Sequence, residues 1–349
     1  MVVTAVITEN SKYLQLKVEK PTLDLPHAEI STGRVVPIKH PEGSKADFEQ
    51  SEMLKPQQQY LLTANFDPEE TTGGFAHGHD PFLTHHDGVD FMGFRSAPIP
   101  VQPQVHILGR GPVPEGHFGF PPDFELQGID HGEFHLPPYI PAVEREAGAS
   151  RFYQWHFDGS LYDISPPRLG YLLAVRTPKG PDATVRWEDE AGTQMKMAPG
   201  SMAMIAGSRA LELLDEETKN IVMNSRIEYA PHTFVWMSKT HRTRLGHSIE
   251  TEGLERPLDE LPKRAKSKIH GQGAFRLYLK STQEGAETVV KDLKEVRAFM
   301  DKLMRPAIQP ENIYAHPHKE QDVILWYNRA LWHSITEFPK SYGPCVMNQ

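Results

Sequence analysis

Short strand-like runs recur along the chain from Phe152 onward, separated by polar and turn-forming positions. These runs are Phe152 to Phe157, Leu169 to Thr177, Ala183 to Trp187, Ser201 to Ile205, Phe234 to Met237, Ala274 to Leu279 and Val323 to Trp326. All are bounded by turn residues, and their spacing predicts a sandwich or barrel. Two stretches follow a helical period instead. Leu211 to Met223 carries apolar side chains at Leu211, Leu214, Ile221 and Val222; Thr288 to Leu303 carries them at Val289, Leu293, Val296, Phe299, Met300 and Leu303, before Pro306. Neither sits in a repeating strand-helix-strand order, which disfavours a parallel doubly wound sheet and predicts a mainly β fold with flanking helices.

The N-terminal part reads differently. Residues 1 to 60 are polar and proline-punctuated, with weak strand signals at Tyr13 to Val18 and Arg34 to Ile38, as expected of an arm packed on a single domain formed by residues 61 to 349. From Asp67 to Pro141 the pattern gives way to turn formers such as Gly73-Gly74, Asp80-Pro81 and Pro121-Pro122, which predicts loops. His77, His79, His85 and His86 in this stretch match no ligand spacing with a remote partner, so they are expected to contact neither a metal nor a reacting carbon.

Composition narrows the function classes. With 38% hydrophobic and 24% charged residues the chain of 349 is globular in type. Its 37 basic against 46 acidic side chains give a net charge of −9, which offers no surface for a phosphate backbone, so nucleic acid is not expected as a partner. Cys345 is the single cysteine, which excludes an internal disulfide framework and a cysteine-cluster metal site and fits a reducing compartment. No apolar run approaches ~20 residues, so no membrane span is expected and a cytoplasmic location is.

The familiar cofactor motifs are missing. There is no G-x-x-x-x-G-K loop, and Gly109-Arg110-Gly111 lacks the third glycine and the flanking strand and helix of a dinucleotide site. Neither a G-x-S-x-G elbow nor an H-E-x-x-H pair occurs. What remains is histidine. A histidine and a carboxylate two residues apart, joined by a remote histidine, form the 2-His-1-carboxylate face that leaves positions open on Fe(II). Six such pairs exist: His27/Glu29, His40/Glu42, His85/Asp87, His131/Glu133, His156/Asp158 and His318/Glu320. Only His156/Asp158 leaves an aromatic strand-like run, Phe152-Tyr153-Gln154-Trp155, and enters a Gly159-Ser160 turn. The remote partner is expected at the end of a late core strand, and Asp322 through Trp332 leads to His333. Trp155, Trp326 and Trp332 alternate with these ligands and are read as core.

Trp155-His156-Phe157-Asp158-Gly159, with Leu325-Trp326-Tyr327-Asn328-Arg329 running on to His333, resembles the iron- and 2-oxoglutarate-dependent dioxygenases of the taurine dioxygenase (TauD/TfdA) family over residues 70 to 349. His106-Ile107-Leu108-Gly109, Tyr162-Asp163 with Pro166-Pro167, and Glu228-Tyr229-Ala230-Pro231-His232 look most like its fungal branch that includes xanthine dioxygenase. The resemblance implies a double-stranded β-helix, a cupin-like jelly roll, with Fe(II) on His156, Asp158 and His333. It also implies O2 as co-substrate and 2-oxoglutarate contacted by Thr184. Where the family reads Arg-x-Met-His-Arg, or Gln at the end, this chain reads Cys345-Val346-Met347-Asn348-Gln349. Gln349 then falls at a substrate-binding position. Cys345 replaces the arginine that anchors the far carboxylate of 2-oxoglutarate, and a thiol offers no bidentate cation. Three outcomes follow: another cation such as Lys340 or Arg176 serves, 2-oxoglutarate binds weakly, or iron is used without it. The expected function is a non-haem Fe(II) oxygenase that draws electrons from 2-oxoglutarate and oxidises a C–H bond of a small polar molecule; the alternatives are an Fe(II)/O2 oxidase that draws its electrons from the substrate and a non-catalytic jelly-roll binding protein.

Overall fold

The computed structural model describes residues 2–6, 15–19, 33–36, 54–60, 97–128, 134–158, 169–187, 189–230, 236, 240–247, 255, 257, 259, 274–281 and 287–349. In chain order the strands and helices are β1 (Val2–Val6), β2 (Gln15–Glu19), β3 (Gly33–Val36), β4 (Ala97–Ile99), β5 (Gln102–Pro112), β6 (Glu125–Gln127), α1 (Ala142–Glu146), β7 (Ala149–Ser150), β8 (Leu169–Arg176), β9 (Ala183–Arg186) and β10 (Gln194–Met197). Then come β11 (Met202–Ala206), α2 (Gly207–Glu212), α3 (Glu216–Asn224), β12 (Arg226–Tyr229), β13 (Ala274–Lys280), β14 (Glu287–Val290), α4 (Leu293–Met304), β15 (Tyr314–His316), β16 (Val323–Tyr327), β17 (Leu331–Ile335) and β18 (Cys345–Asn348).

Two antiparallel sheets carry the site. The large one runs β3-β16-β8-β18-β5-β4 with β6 on β5; the smaller one runs β15-β11-β17. Side chains alternate between the faces of β8 as the pleat requires. Leu172 and Ala174 join Ile324, Trp326, Cys345 and Met347 of the large sheet and Met202, Met204 and Leu331 of the small one in a shared buried cluster. Tyr171, Leu173 and Val175 point the other way, into a cluster with Val105, Ile107, Val323, Leu325 and Val346. A strand covered on both faces needs the unbroken apolar run that Leu169–Arg176 supplies, and full burial of each Leu or Val stabilises by roughly 1.5–3 kcal/mol. The outer face of the small sheet, Ala203 and Ile205, packs with Phe152, Trp155, Val185, Trp187 and Met304. Two facing sheets around one core make the jelly roll, with helices flanking it.

Two glycines set close approaches in the large sheet. Gly170 lies opposite Trp326 in the β8–β16 register, and a methyl group there would overlap the indole. Gly109 has φ of 132°, and a methyl group on it would overlap the carbonyl of Cys345. Both positions need the missing side chain.

The structure corrects several expectations. Phe152 to Phe157 is not a strand: it makes only isolated bridges, Phe152 with Thr336 and His156 with His333. Leu211 to Met223 is not one helix, because Asp215 accepts from Thr218 N at 2.7 Å and starts a new one, α3. Asp and its short carboxylate favour such a cap over helix interior. Thr288 belongs to β14, and α4 begins only after Asp292, which caps Glu295 N. The stretch read as loops from Asp67 contains β5, whose periodicity is hidden by Pro103, Gly109, Gly111 and Pro112. β18 carried too few residues to register as a strand. The histidine loop from His77 to His86 lies outside the described residues, as does the run Phe234 to Met237 except for Trp236. No helix among the described residues is long and apolar enough to cross a membrane.

Candidate metal centre

His156 and His333 stand directly opposite each other and exchange both backbone hydrogen bonds, His156 N to His333 O at 2.9 Å and His333 N to His156 O at 2.7 Å. This one bridge fastens an otherwise irregular segment to β17. It also aims two imidazoles from neighbouring backbones at one spot, with ring centroids 4.3 Å apart. Asp158 follows two residues later. Its Oδ1 lies 3.8 Å from His156 Nε2 and 3.5 Å from His333 Nε2. One ligand atom from each of the three lies within 4.8 Å of the others, and they are the one such group among the described residues.

The second atom of each donor decides what the first can do. His156 Nδ1 is 2.8 Å from the carbonyl of Gln154, which only accepts, so the proton sits on Nδ1 and the lone pair on Nε2. Burial, reinforced by His333, pulls the His156 pKa down to about 4 against the opposing effects of Asp158 and the Gln154 bond. His156 is therefore neutral at pH 7, as a metal ligand must be. Asp158 Oδ2 accepts from Gln349 Nε2 at 2.9 Å. His333 is buried, and its Nδ1 has no hydrogen-bond partner among the described residues. The Trp326 indole lies against its ring in a T-shaped arrangement, with centroids 5.4 Å apart. Donor atoms about 2.1 Å from a common ion sit roughly 3–4 Å apart, and Asp158 Oδ1 stands at that spacing from the Nε2 of both histidines, as joint binding of a divalent cation requires.

The other residues singled out from the sequence fall in different places. Thr184 is on β9, where its Oγ1 accepts from Lys196 Nζ at 2.6 Å; no hydrogen bond joins it to the three donors. Cys345 is buried in the apolar cluster between the sheets, and burial pushes its thiol up to about 12, partly offset by Arg110. It holds no charge to offer a carboxylate. Lys340 is exposed, and Arg176 is half-buried at the end of β8 beside the β18 bulge. Directly across from Cys345 in the β18–β5 register stands Arg110. Its Nη2 donates to the carbonyls of Phe338 (3.1 Å) and Pro339 (3.2 Å), and its guanidinium rests 4.3 Å over the Phe338 ring. Trp155 and Trp326 are core, both 1% exposed.

Two contributors escaped sequence reasoning. Asn328, fully buried, accepts from Asp158 N through Oδ1 and donates from Nδ2 to Asp158 O, both at 2.8 Å. Its only signal was an amide at the mouth of the strand leading to His333. Arg110 was legible only as the middle of a failed glycine loop.

Residues 124–344 match the family model described as Taurine catabolism dioxygenase TauD, TfdA family. Among curated proteins the chain is 37% identical over 296 residues to the alpha-ketoglutarate-dependent xanthine dioxygenase xanA of Emericella nidulans, covering 81% of this chain and 77% of that one. It is 33% identical over 308 residues to the alpha-ketoglutarate-dependent xanthine dioxygenase xan1 of Schizosaccharomyces pombe, covering 83% and 72%. Alpha-ketoglutarate is 2-oxoglutarate. A taurine dioxygenase structure from Burkholderia xenovorans aligns over 96% of this chain and 84% of its own at 14% identity and a TM-score of 0.40, a likeness that adds nothing to the assignment. The family match, the relatives and the histidine-aspartate-histidine group agree: the chain belongs to the TauD, TfdA family and is a non-haem Fe(II), 2-oxoglutarate-dependent dioxygenase.

Proposed function

We propose that Fe(II) is held by His156 Nε2, Asp158 Oδ1 and His333 Nε2, and that the substrate is xanthine or a similar lactam heterocycle. The observation that carries the reading is the convergence of one atom from each of these residues within 4.8 Å while the partner atoms on His156 and Asp158 are committed to Gln154 and Gln349. Bound there, Fe(II) with O2 and 2-oxoglutarate would supply a two-electron oxidation in which one oxygen atom goes to 2-oxoglutarate, released as succinate and CO2, and the other to the substrate.

The chain's own part is placement and shielding. The two neutral imidazoles and one carboxylate leave a dication with net positive charge and with positions unfilled by protein. Trp326 walls one side and keeps water from His333. Gln349 Oε1 makes no hydrogen bond among the described residues, so it is free to accept from a ring N–H; this, and the printed names of the relatives, support a lactam substrate. The far carboxylate of 2-oxoglutarate needs a cation, because burying an unpaired charge costs several kcal/mol. Position 345 provides none. In this reading Arg110, straight across the strand pair, provides it from β5.

The test is O2 uptake by the Fe(II)-loaded protein with xanthine, with and without 2-oxoglutarate. Uptake that requires 2-oxoglutarate and releases one CO2 per turnover is expected. Uptake without 2-oxoglutarate would instead mark an oxidase, which the apolar setting of Cys345 would then explain. A purine analogue methylated on its ring nitrogens should turn over more slowly than xanthine if Gln349 accepts from an N–H.

A further inference from the structure

Asp158 presents one carboxylate oxygen to the histidines and gives the other to Gln349. Oδ1 faces both imidazoles; Oδ2 takes the Gln349 amide hydrogen at 2.9 Å. The backbone of the same residue is gripped by Asn328, whose amide answers Asp158 N and Asp158 O at 2.8 Å each, as a neighbouring strand would. Asn328 sits in the turn between β16 and β17, and Gln349 directly follows β18. Asp158 itself belongs to no strand. Two amides from two different strand ends therefore take over the work that sheet pairing does for His333.

This matters for how a carboxylate can bind a cation. Left alone, it can swing and chelate through both oxygens, using a position that an oxygenase has to keep open. A donor fixed on Oδ2 opposes that, because chelation would cost the hydrogen bond. The same donor withdraws electron density from the ligand. A neutral amide does both without adding a positive charge that would compete with the metal for Asp158.

We propose that Gln349 is a positioning residue for the metal: through Nε2 it confines Asp158 to ligation by Oδ1 alone and weakens its donation. The proposal rests on Asp158 being a ligand, the reading given above, and deepens it. Gln349 then acts on the iron as well as on the substrate position that the family resemblance implied for it.

Gln349→Leu keeps the bulk and removes the donor. The measurements are Fe(II) affinity by anaerobic equilibrium dialysis, the melting temperature of the metal-free protein, and the position of the Fe(II)-2-oxoglutarate charge-transfer absorption. Affinity is expected to fall about 10- to 100-fold, as for other partners that orient metal ligands, because the lost orientation of Asp158 outweighs the charge it regains. The absorption is expected to move to longer wavelength, since a carboxylate without its donor pushes more charge onto iron. Melting of the metal-free protein should stay within about 1 °C of the parent, because the lost bond orients the ligand rather than holding the fold together. Unchanged affinity and an unmoved absorption would overturn the proposal, and so would an affinity loss matched by a lower metal-free melting temperature. If leucine prevents folding, Gln349→Met carries the same test. A parent protein that binds no Fe(II) would instead sink the ligand assignment, and this proposal with it, which is a different result from a parent and variant that bind equally well.

Discussion

Strand β18 has two very different ends only four residues apart. At its exit Gln349 is hydrogen-bonded to Asp158, which is itself held by Asn328 and faces two histidines. At its entry Cys345 is packed among Leu172, Ala174, Met202 and Met347 and carries no charge at any physiological pH. The Asp158 end is built from polar groups that hold one another in place, so removing one partner strands the rest. The Cys345 end is apolar packing, which tolerates change in one residue if volume is kept. A positive charge wanted at that end has to arrive from a neighbouring strand, and Arg110 is the residue the register puts opposite.

The largest effects are expected at the Asp158 end. His156→Ala, His333→Ala and Asp158→Ala should each abolish Fe(II) binding and turnover, while circular dichroism of the metal-free protein stays native-like. Next comes the opposite end. Arg110→Met should weaken 2-oxoglutarate binding about 10- to 150-fold, the equivalent of losing a charge-assisted pair worth ~1.5–3 kcal/mol, in an anaerobic titration of the charge-transfer absorption. Adding Cys345→Arg to that variant should recover much of the loss, because the cation returns to the facing strand. If Arg110→Met binds as tightly as the parent, Lys196 beside Thr184 and Arg176 are the cations to remove next.

Smaller effects separate packing from chemistry. Gly170→Ala should push Trp326 off its seat and cost ~1–3 kcal/mol in urea unfolding. Because Trp326 also lies against His333, that variant should bind Fe(II) more weakly too, which a packing change elsewhere would not do. Asp292→Ala, at the cap of α4 and remote in sequence from every ligand, should cost about 1 kcal/mol and leave Fe(II) affinity unchanged.

The three residues that converge, His156, Asp158 and His333, were legible before the fold was. A histidine and an aspartate at the end of an aromatic run, with a late histidine after a buried strand, carry their chemistry in residue type and spacing. The central strands β8 and β16 were legible for the same reason, since continuous burial leaves continuous apolar letters. What holds the ligands was not. The partner of His156 Nδ1 is a backbone carbonyl, which has no letter of its own. The bond from Gln349 to Asp158 depends on the register of β18, a strand of four residues buried on both faces. Arg110 was hidden because Gly109 and Gly111 made β5 read as a loop, although those glycines are what lets the backbone bend beside Cys345. The helical stretch at Leu211 shows the reverse error: its period was real, but the Asp215 cap divided it.

Metal stoichiometry tests the central claim most directly. In anaerobic dialysis against Fe(II), the parent protein is expected to retain one ion per chain, and the double variant His156→Ala/His333→Ala none. One tightly held ion in the double variant would contradict the account, because it would place the metal on residues other than His156, Asp158 and His333.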